Sequence, residues 1–301
     1  QLTSILDTLI DGTEHNHRDH EMMEIGINVL PSFPKDMSDR NRTSPFAFTG
    51  DKFEFRMVGS SQSIAGPNAI LNSAVASVLN EVADRLERSE NSLEEVKNII
   101  IESYREHRKI IFNGNGYADE WVKEAEKRGL PNLTCTVDSL PELIKEPSVS
   151  MLSSLGVFSR AELESRLEIY LEAYSKQINI EAGIMVEMAE RQIFPTVSRY
   201  LHELISSTAS QESLKLTTAI QKKRIKELSS HLEKLLSAID SLKGVLVRVR
   251  EIEDIPEQAK AFRYEVVPAM DELRIHGDIL ESLTEQDRWP YPSYEQLLYS
   301  L

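Results

Sequence analysis

A single cysteine in 301 residues, Cys135, excludes an internal disulfide framework, so stability has to come from packing. Long apolar runs are missing as well. No stretch approaches the roughly 18 consecutive apolar residues of a membrane-spanning helix, and no charged segment followed by an apolar one opens the chain. Positive charge is scarce: 34 Lys and Arg stand against 49 Asp and Glu, a formal net charge of −15, which argues against a nucleic-acid groove. The phosphate loop Gly-x-x-x-x-Gly-Lys and the Gly-x-Gly-x-x-Gly turn after a strand are both absent, so a nucleotide would have to be held another way. No repeat of solenoid length and no low-complexity tract occurs. What is present, 41% apolar and 28% charged residues, suffices for a sizeable core. At about 100 to 200 residues per domain the chain should hold two domains. A soluble, cytoplasmic protein with no nucleic-acid or membrane partner is expected.

Residues 1–60 are mixed in texture, and short strands and loops are expected there. An apolar segment, residues 5–10, precedes a polar, His-rich run, and Gly26-Ile27-Asn28-Val29-Leu30 is closed by Pro31 and Pro34. After the turn signal Gly50-Asp51, residues 52–57 alternate charged and apolar with period two, the pattern of a half-buried strand. From Pro67 onward helices are expected. Residues 68–86 repeat apolar positions at threes and fours, and Ser92-Leu93-Glu94-Glu95 reads as a capping box. Asn113-Gly114-Asn115-Gly116 is a stop. Residues 117–128 form a helix ended by Gly129, and Ser159-Arg160-Ala161-Glu162 caps a further one. Ile225, Leu228, Leu232, Leu235, Ile239, Leu242, Leu246 and Val249 then make a heptad seam. Such a seam closes either within one chain, as a hairpin or bundle arm, or between chains.

The alternation at 52–57 places Lys52, Glu54 and Arg56 on one face and Phe53, Phe55 and Met57 on the other, with the apolar face expected in the core. The charged face is either a solvated ion-pair ladder or an anion and metal platform. Glu supplies a hard oxygen to a divalent cation, and Arg a planar fork for carboxylate or phosphate. The loop Ser38-Asp39-Arg40-Asn41-Arg42-Thr43-Ser44 brings two arginines beside it, for an oxyanion or for pairing with Asp36 and Asp39. The run His15-Asn16-His17-Arg18-Asp19-His20-Glu21 is read as a solvated loop, because structural metal sites draw ligands from separated segments. Cys135, with no paired base in the sequence, is read as an inert thiol.

Asn41-Arg42-Thr43-Ser44, then Lys52-Phe53-Glu54-Phe55-Arg56, then Ala65-Gly66-Pro67-Asn68 resemble, in order and spacing, the late catalytic motifs of glutamine synthetases. The wording of residues 41–50 and 53–61, and the closing Trp289-Pro290-Tyr291-Pro292-Ser293-Tyr294, resemble the type III branch. Ser139-Leu140-Pro141-Glu142-Leu143 and Leu155-Gly156-Val157-Phe158-Ser159 are similar to its late helical segment. The resemblance implies an α+β fold: the C-terminal part of an antiparallel-sheet catalytic domain over residues 1–194, then a mainly helical hairpin or bundle extension over 195–301. It implies ATP-dependent joining of ammonia to glutamate through a γ-glutamyl phosphate, with Mg²⁺ or Mn²⁺, in a ring of identical subunits. By motif position Glu54 would ligate a metal, Arg42 would stabilise the transferred phosphoryl group, Lys52 would contact ATP phosphate and Arg56 would bind the glutamate carboxylate. Ala47 stands where another basic residue is common. The family's other metal ligands belong upstream of these motifs and have no match before Asn41. With Gln1 as first residue, this implies the C-terminal part of a longer synthetase, inactive alone. The competing expectation is a helical assembly protein whose synthetase-like part is not catalytic.

Overall fold

The computed structural model describes residues 2–12, 22–23, 33–34, 43–48, 52–57, 59 and 62–299, and divides into two compact units. The first comprises Gln1–Leu133 and Ser150–Phe158, the second Thr134–Val149 and Ser159–Leu301. The structure is mostly helical, with two small two-stranded antiparallel sheets among the described residues. None of its helices is long and apolar enough, among the described residues, to cross a membrane.

The first unit opens with α1 (Leu2–Asp11), where loops and strands were expected. Leu2, Ile5, Leu6, Leu9 and Ile10 recur at threes and fours, a helical period too short in extent to outweigh the turn-rich sequence that follows. Two strand pairs come next: β1 (Met22–Met23) with β2 (Phe33–Pro34), and β3 (Phe46–Phe48) with β4 (Phe53–Phe55). The His-rich run and residues 26–30 lie outside the described residues. Then α2 (Ala65–Arg88) and α3 (Ser92–His107) follow. The cap of α3 is Asn91 rather than Ser92: its side chain accepts from the Glu94 amide at 3.4 Å, and Ser92 is the first helical residue. Asn competes with Ser for this role on equal terms, so an Asn-Ser pair leaves the start ambiguous by one. Helix α4 (Asp119–Lys127) ends as expected at Gly129, whose φ of +68° lets the Leu130 amide reach Ala125 O at 2.9 Å. Few side chains of this unit are fully covered: Ala47, Ser73, Tyr104 and Leu152 among those described. Buried Tyr104 donates to Asp7 Oδ1 at 2.8 Å, which ties α3 to α1, and burial, then the Asp7 carboxylate, push the phenol above its usual range.

The second unit is a helical bundle. After α5 (Thr136–Ser139) and α6 (Glu146–Ser154), which begins there, come α7 (Arg160–Met188), α8 (Phe194–Ser213), α9 (Ala219–Arg250), α10 (Ile255–Ala261), α11 (Val267–Leu283) and α12 (Tyr294–Tyr299). The capping box at the start of α7 forms in full: Glu162 N donates to Ser159 Oγ at 3.3 Å and Ser159 N to Glu162 Oε2 at 2.8 Å. Those two bonds satisfy two of the helix's orphan donors. Ser159→Ala should lower stability by about 1 kcal/mol, visible as a lower urea midpoint at unchanged slope.

Pro195, at which the helical extension was expected to begin, and Pro268 do not break the helical run. Pro195 and Pro268 each sit two residues past a π-helical turn, Ala189–Ile193 and Phe262–Val266, and the helical run continues through both. Proline lacks the amide hydrogen and crowds the carbonyl four residues back. The wider π turn moves that carbonyl aside, so α7 and α8 follow one another through the point, 194–195, at which a domain boundary was expected.

The heptad seam closes inside the chain. Leu228, Leu232, Leu235, Ile239, Leu242, Leu246 and Val249 are buried in one cluster with Val197 and Tyr200 of α8, Ala182 and Val186 of α7, and Leu273 and Leu280 of α11. Trp289 of the closing Trp-Pro-Tyr-Pro segment packs on the same cluster. The seam that an assembly protein would need on its surface is therefore consumed by its own bundle.

Candidate functional site

Three of the four residues singled out from the sequence, Lys52, Glu54 and Arg56, are gathered on the β3–β4 hairpin; Arg42 lies outside the described residues. The register pairs Phe46 with Phe55, Ala47 with Glu54 and Phe48 with Phe53. Strand alternation then puts Ala47 and Glu54 on one face and four phenyl rings on the other. The rings pack on each other, Phe46 on Phe53 at 5.1 Å between centroids and Phe48 on Phe53 at 5.2 Å.

The expected assignment of faces is reversed. Phe53 is 61% exposed and Met57 64%, whereas Ala47 is fully buried and Glu54 and Arg56 are half-buried. Period two dictates which residues share a face, but coverage depends on what the rest of the fold lays over that face. In this two-stranded sheet the phenyl rings cover one another. Ala47, paired with Glu54, is completely buried.

Glu54 and Arg56, two residues apart, meet on their side of the strand. Arg56 Nη2 and Nε donate to the same carboxylate oxygen, Glu54 Oε2, at 2.9 and 3.3 Å. The Arg56 amide donates to Pro45 O at 2.8 Å, which extends the ladder one step past β4 and fixes the base of the guanidinium. With the Glu54 side chain 43% exposed and Arg56 25%, the pair contributes on the order of 0–1 kcal/mol to stability. Lys52 is exposed at the entrance to β4.

One contributor was missed from the sequence. Asn113-Gly114-Asn115-Gly116 does more than stop a helix, since the Gly116 amide donates to Thr43 O at 2.6 Å. A Cβ at Gly116 would lie 2.9 Å from that same oxygen. The glycine thus lets this loop press on the segment that leads into β3, at the residue that follows Arg42 in sequence. The glycine-rich composition was the available signal, and it fits a close backbone approach as well as a turn.

Among the described residues no three His, Cys, Asp or Glu side chains are grouped to hold a metal ion. Glu54 alone, with one oxygen engaged by Arg56, does not make a divalent-cation site, which needs six or more oxygen ligands from protein, water or substrate. Cys135 sits in the second unit, where its thiol donates to Asp138 Oδ2 at 3.1 Å and the Tyr264 hydroxyl donates to the same oxygen at 2.6 Å. The two donors hold the Asp138 carboxyl below its usual range, Tyr264 foremost, and the carboxylate drives the Tyr264 phenol well above its own. A thiol facing a carboxylate has the opposite of the electropositive surroundings that activate a nucleophile, in keeping with an inert role.

Residues 95–212, from α3 into α8, match the family model described as the glutamine synthetase C-terminal domain. The whole chain aligns with larger relatives. It is 32% identical over 309 residues to a type-3 glutamine synthetase of Dictyostelium discoideum, covering 99% of this chain and 42% of that protein. The chain resembles the glutamine synthetases, the type-3 branch included, along nearly its entire length. A glutamine synthetase of Bacteroides fragilis (strain YCH46) is 33% identical over 100% of this chain and 43% of its own length. One of Butyrivibrio fibrisolvens is 36% identical over 90% and 39% respectively. The chain therefore spans about two fifths of the length of the curated relatives it matches. The β3–β4 hairpin precedes the segment matched by the family model, but alignments covering 99% and 100% of the chain take it in.

Proposed function

We propose that this chain supplies the C-terminal part of a glutamine synthetase, an enzyme that joins ammonia to glutamate at the expense of ATP through a γ-glutamyl phosphate. The single observation that carries the proposal is the similarity at 32–36% identity over 90–100% of the chain to proteins named glutamine synthetase. The hairpin geometry supports it, because it joins a carboxylate and an arginine fork on a half-covered strand face.

In this proposal Arg56 binds the carboxylate of glutamate. Its guanidinium already holds one carboxylate oxygen, and an arriving substrate carboxylate replaces Glu54 Oε2 as the acceptor of that fork. Arg42 and Lys52 act on phosphate, where transfer needs charge neutralisation and in-line placement more than covalent chemistry. Mg²⁺ or Mn²⁺ is the implied cofactor, with Glu54 as one ligand; the described residues do not complete such a site, so glutamine formation requires groups beyond them. Assembly into homo-oligomeric rings belongs to the same proposal. So does the division into a catalytic part, 1–194, and a helical extension, 195–301. The helical run crosses that division.

The test is phosphate release from MgATP by the longest form of the protein, with glutamate and ammonium omitted in turn. Release that requires both is the expected result. Release that depends on neither, from a folded protein, overturns the proposal.

A further inference from the structure

The helical bundle contains a pair of imidazoles to which glutamine synthesis assigns no role. His231 of α9 and His276 of α11 meet across the contact between those helices, Nδ1 to Nδ1 at 3.3 Å, with ring centroids 5.4 Å apart and planes inclined by 49°. His276 is 7% exposed, and its Nε2 lies 3.2 Å from Glu272 Oε1 on its own helix. His231 is half-buried, and it lies one residue before Leu232 of the buried seam.

The proton inventory of this triad is restrictive. An ionised carboxylate only accepts, so Nε2 of His276 carries a hydrogen that points to Glu272. The contact between the two Nδ1 atoms holds a single hydrogen. In the neutral pair His231 donates it and His276 accepts. One added proton is accommodated by a shift along the pair: it enters at Nε2 of His231 while the Nδ1 hydrogen of that ring passes to Nδ1 of His276, so the contact still holds a single hydrogen, now donated by His276 and accepted by His231. A second proton has no place. It would set two N–H groups and two positive rings against each other at 3.3 Å.

We propose that His231 and His276 form a proton-operated clasp between α9 and α11, closed with up to one added proton and opened by the second. The charges acting on His231 among the described residues are Glu227 and Lys234 from its own helix and His276 from α11; Glu272 faces His276. Burial first, then Lys234 and His276, push protonation of His231 below the ordinary histidine range, against a smaller opposing pull from Glu227. The folded state therefore binds fewer protons than the unfolded state just below the ordinary histidine pKa of about 6.5. The clasp's contribution is complete above that pH and declines as pH falls from there toward the depressed value.

The test uses the full chain. Imidazole NMR signals followed from pH 8 to 4.5 should show two of the seven histidines titrating as a coupled pair, one step displaced below the ordinary value. His231→Gln keeps a hydrogen-bonding group without a titrating ring. Its folding equilibrium between pH 7.5 and 5 should lose about tenfold less per unit of pKa depression than that of the wild type. Two independent titrations at the ordinary value overturn the clasp, as do parallel stability losses in wild type and variant. If His231→Gln does not fold, the wild-type titration decides by itself.

Discussion

Leu242→Ala should lower the stability of the helical unit by about 2–5 kcal/mol, and Leu242→Asp should abolish its cooperative unfolding transition. Leu242 is fully buried in the middle of α9, in the one cluster that joins α7, α8, α9 and α11. Truncation to alanine removes several methyl and methylene groups and leaves a cavity between helices that are too constrained to collapse onto it. Against a total of about 5–15 kcal/mol for a typical domain this is a large fraction. Aspartate adds the cost of an unpaired charge in an apolar seam, for which no partner is at hand. Val247, 60% exposed on the same helix, is the control: Val247→Ala should stay within about 0.5 kcal/mol. Urea denaturation followed by far-UV circular dichroism checks all three. The same variants separate the two fates of the seam, because a seam that joined chains would show first as a concentration-dependent loss of assembly mass with the monomer's transition intact.

The helical half was legible because its signals are local and redundant. Heptad spacing from Ile225 to Val249, the Ser159 capping box and the Gly129 stop each encode a hydrogen-bonding or burial pattern that repeats within a few residues. The misreadings were non-local or evenly matched. At Pro195 and Pro268 the loss of an amide hydrogen is visible in sequence, whereas the π turn that absorbs it is not. Asn91 and Ser92 are both good caps. On β4 the alternation was right and the covered side was wrong, since the burial of Ala47 and exposure of Phe53 depend on elements distant in sequence. The approach of Glu54 to Arg56 was implicit in their spacing of two. The pressure of Gly116 on Thr43 was not, because 73 residues separate them (116 − 43).

Arg56→Ala in the longest form of the protein should reduce glutamate-dependent phosphate release by about 10²–10³, or raise the glutamate requirement beyond a measurable range, while the subunit assembly and the binding of MgATP persist. The expectation follows from geometry: the guanidinium is fixed at its base by the Arg56 amide bond to Pro45, and it offers two donors to one carboxylate oxygen. Removing it leaves a substrate carboxylate with no fork, so the loss should be felt in the glutamate terms of the rate law. Arg56→Lys should recover only part of the activity, because an ammonium keeps the charge but cannot reproduce two fixed donors. Glu54→Gln tests the other half of the pair. If Glu54 contributes an oxygen to a cation, the amide should weaken the divalent-ion dependence of the reaction far more than the glutamate dependence. If the pair is only a solvated ladder, each variant should retain wild-type kinetics, since a surface ion pair of this exposure contributes about 1 kcal/mol or less and nothing to the reaction. Steady-state phosphate release titrated separately in glutamate and in Mg²⁺ distinguishes these outcomes, and unchanged kinetics in Arg56→Ala would remove the hairpin from the active site.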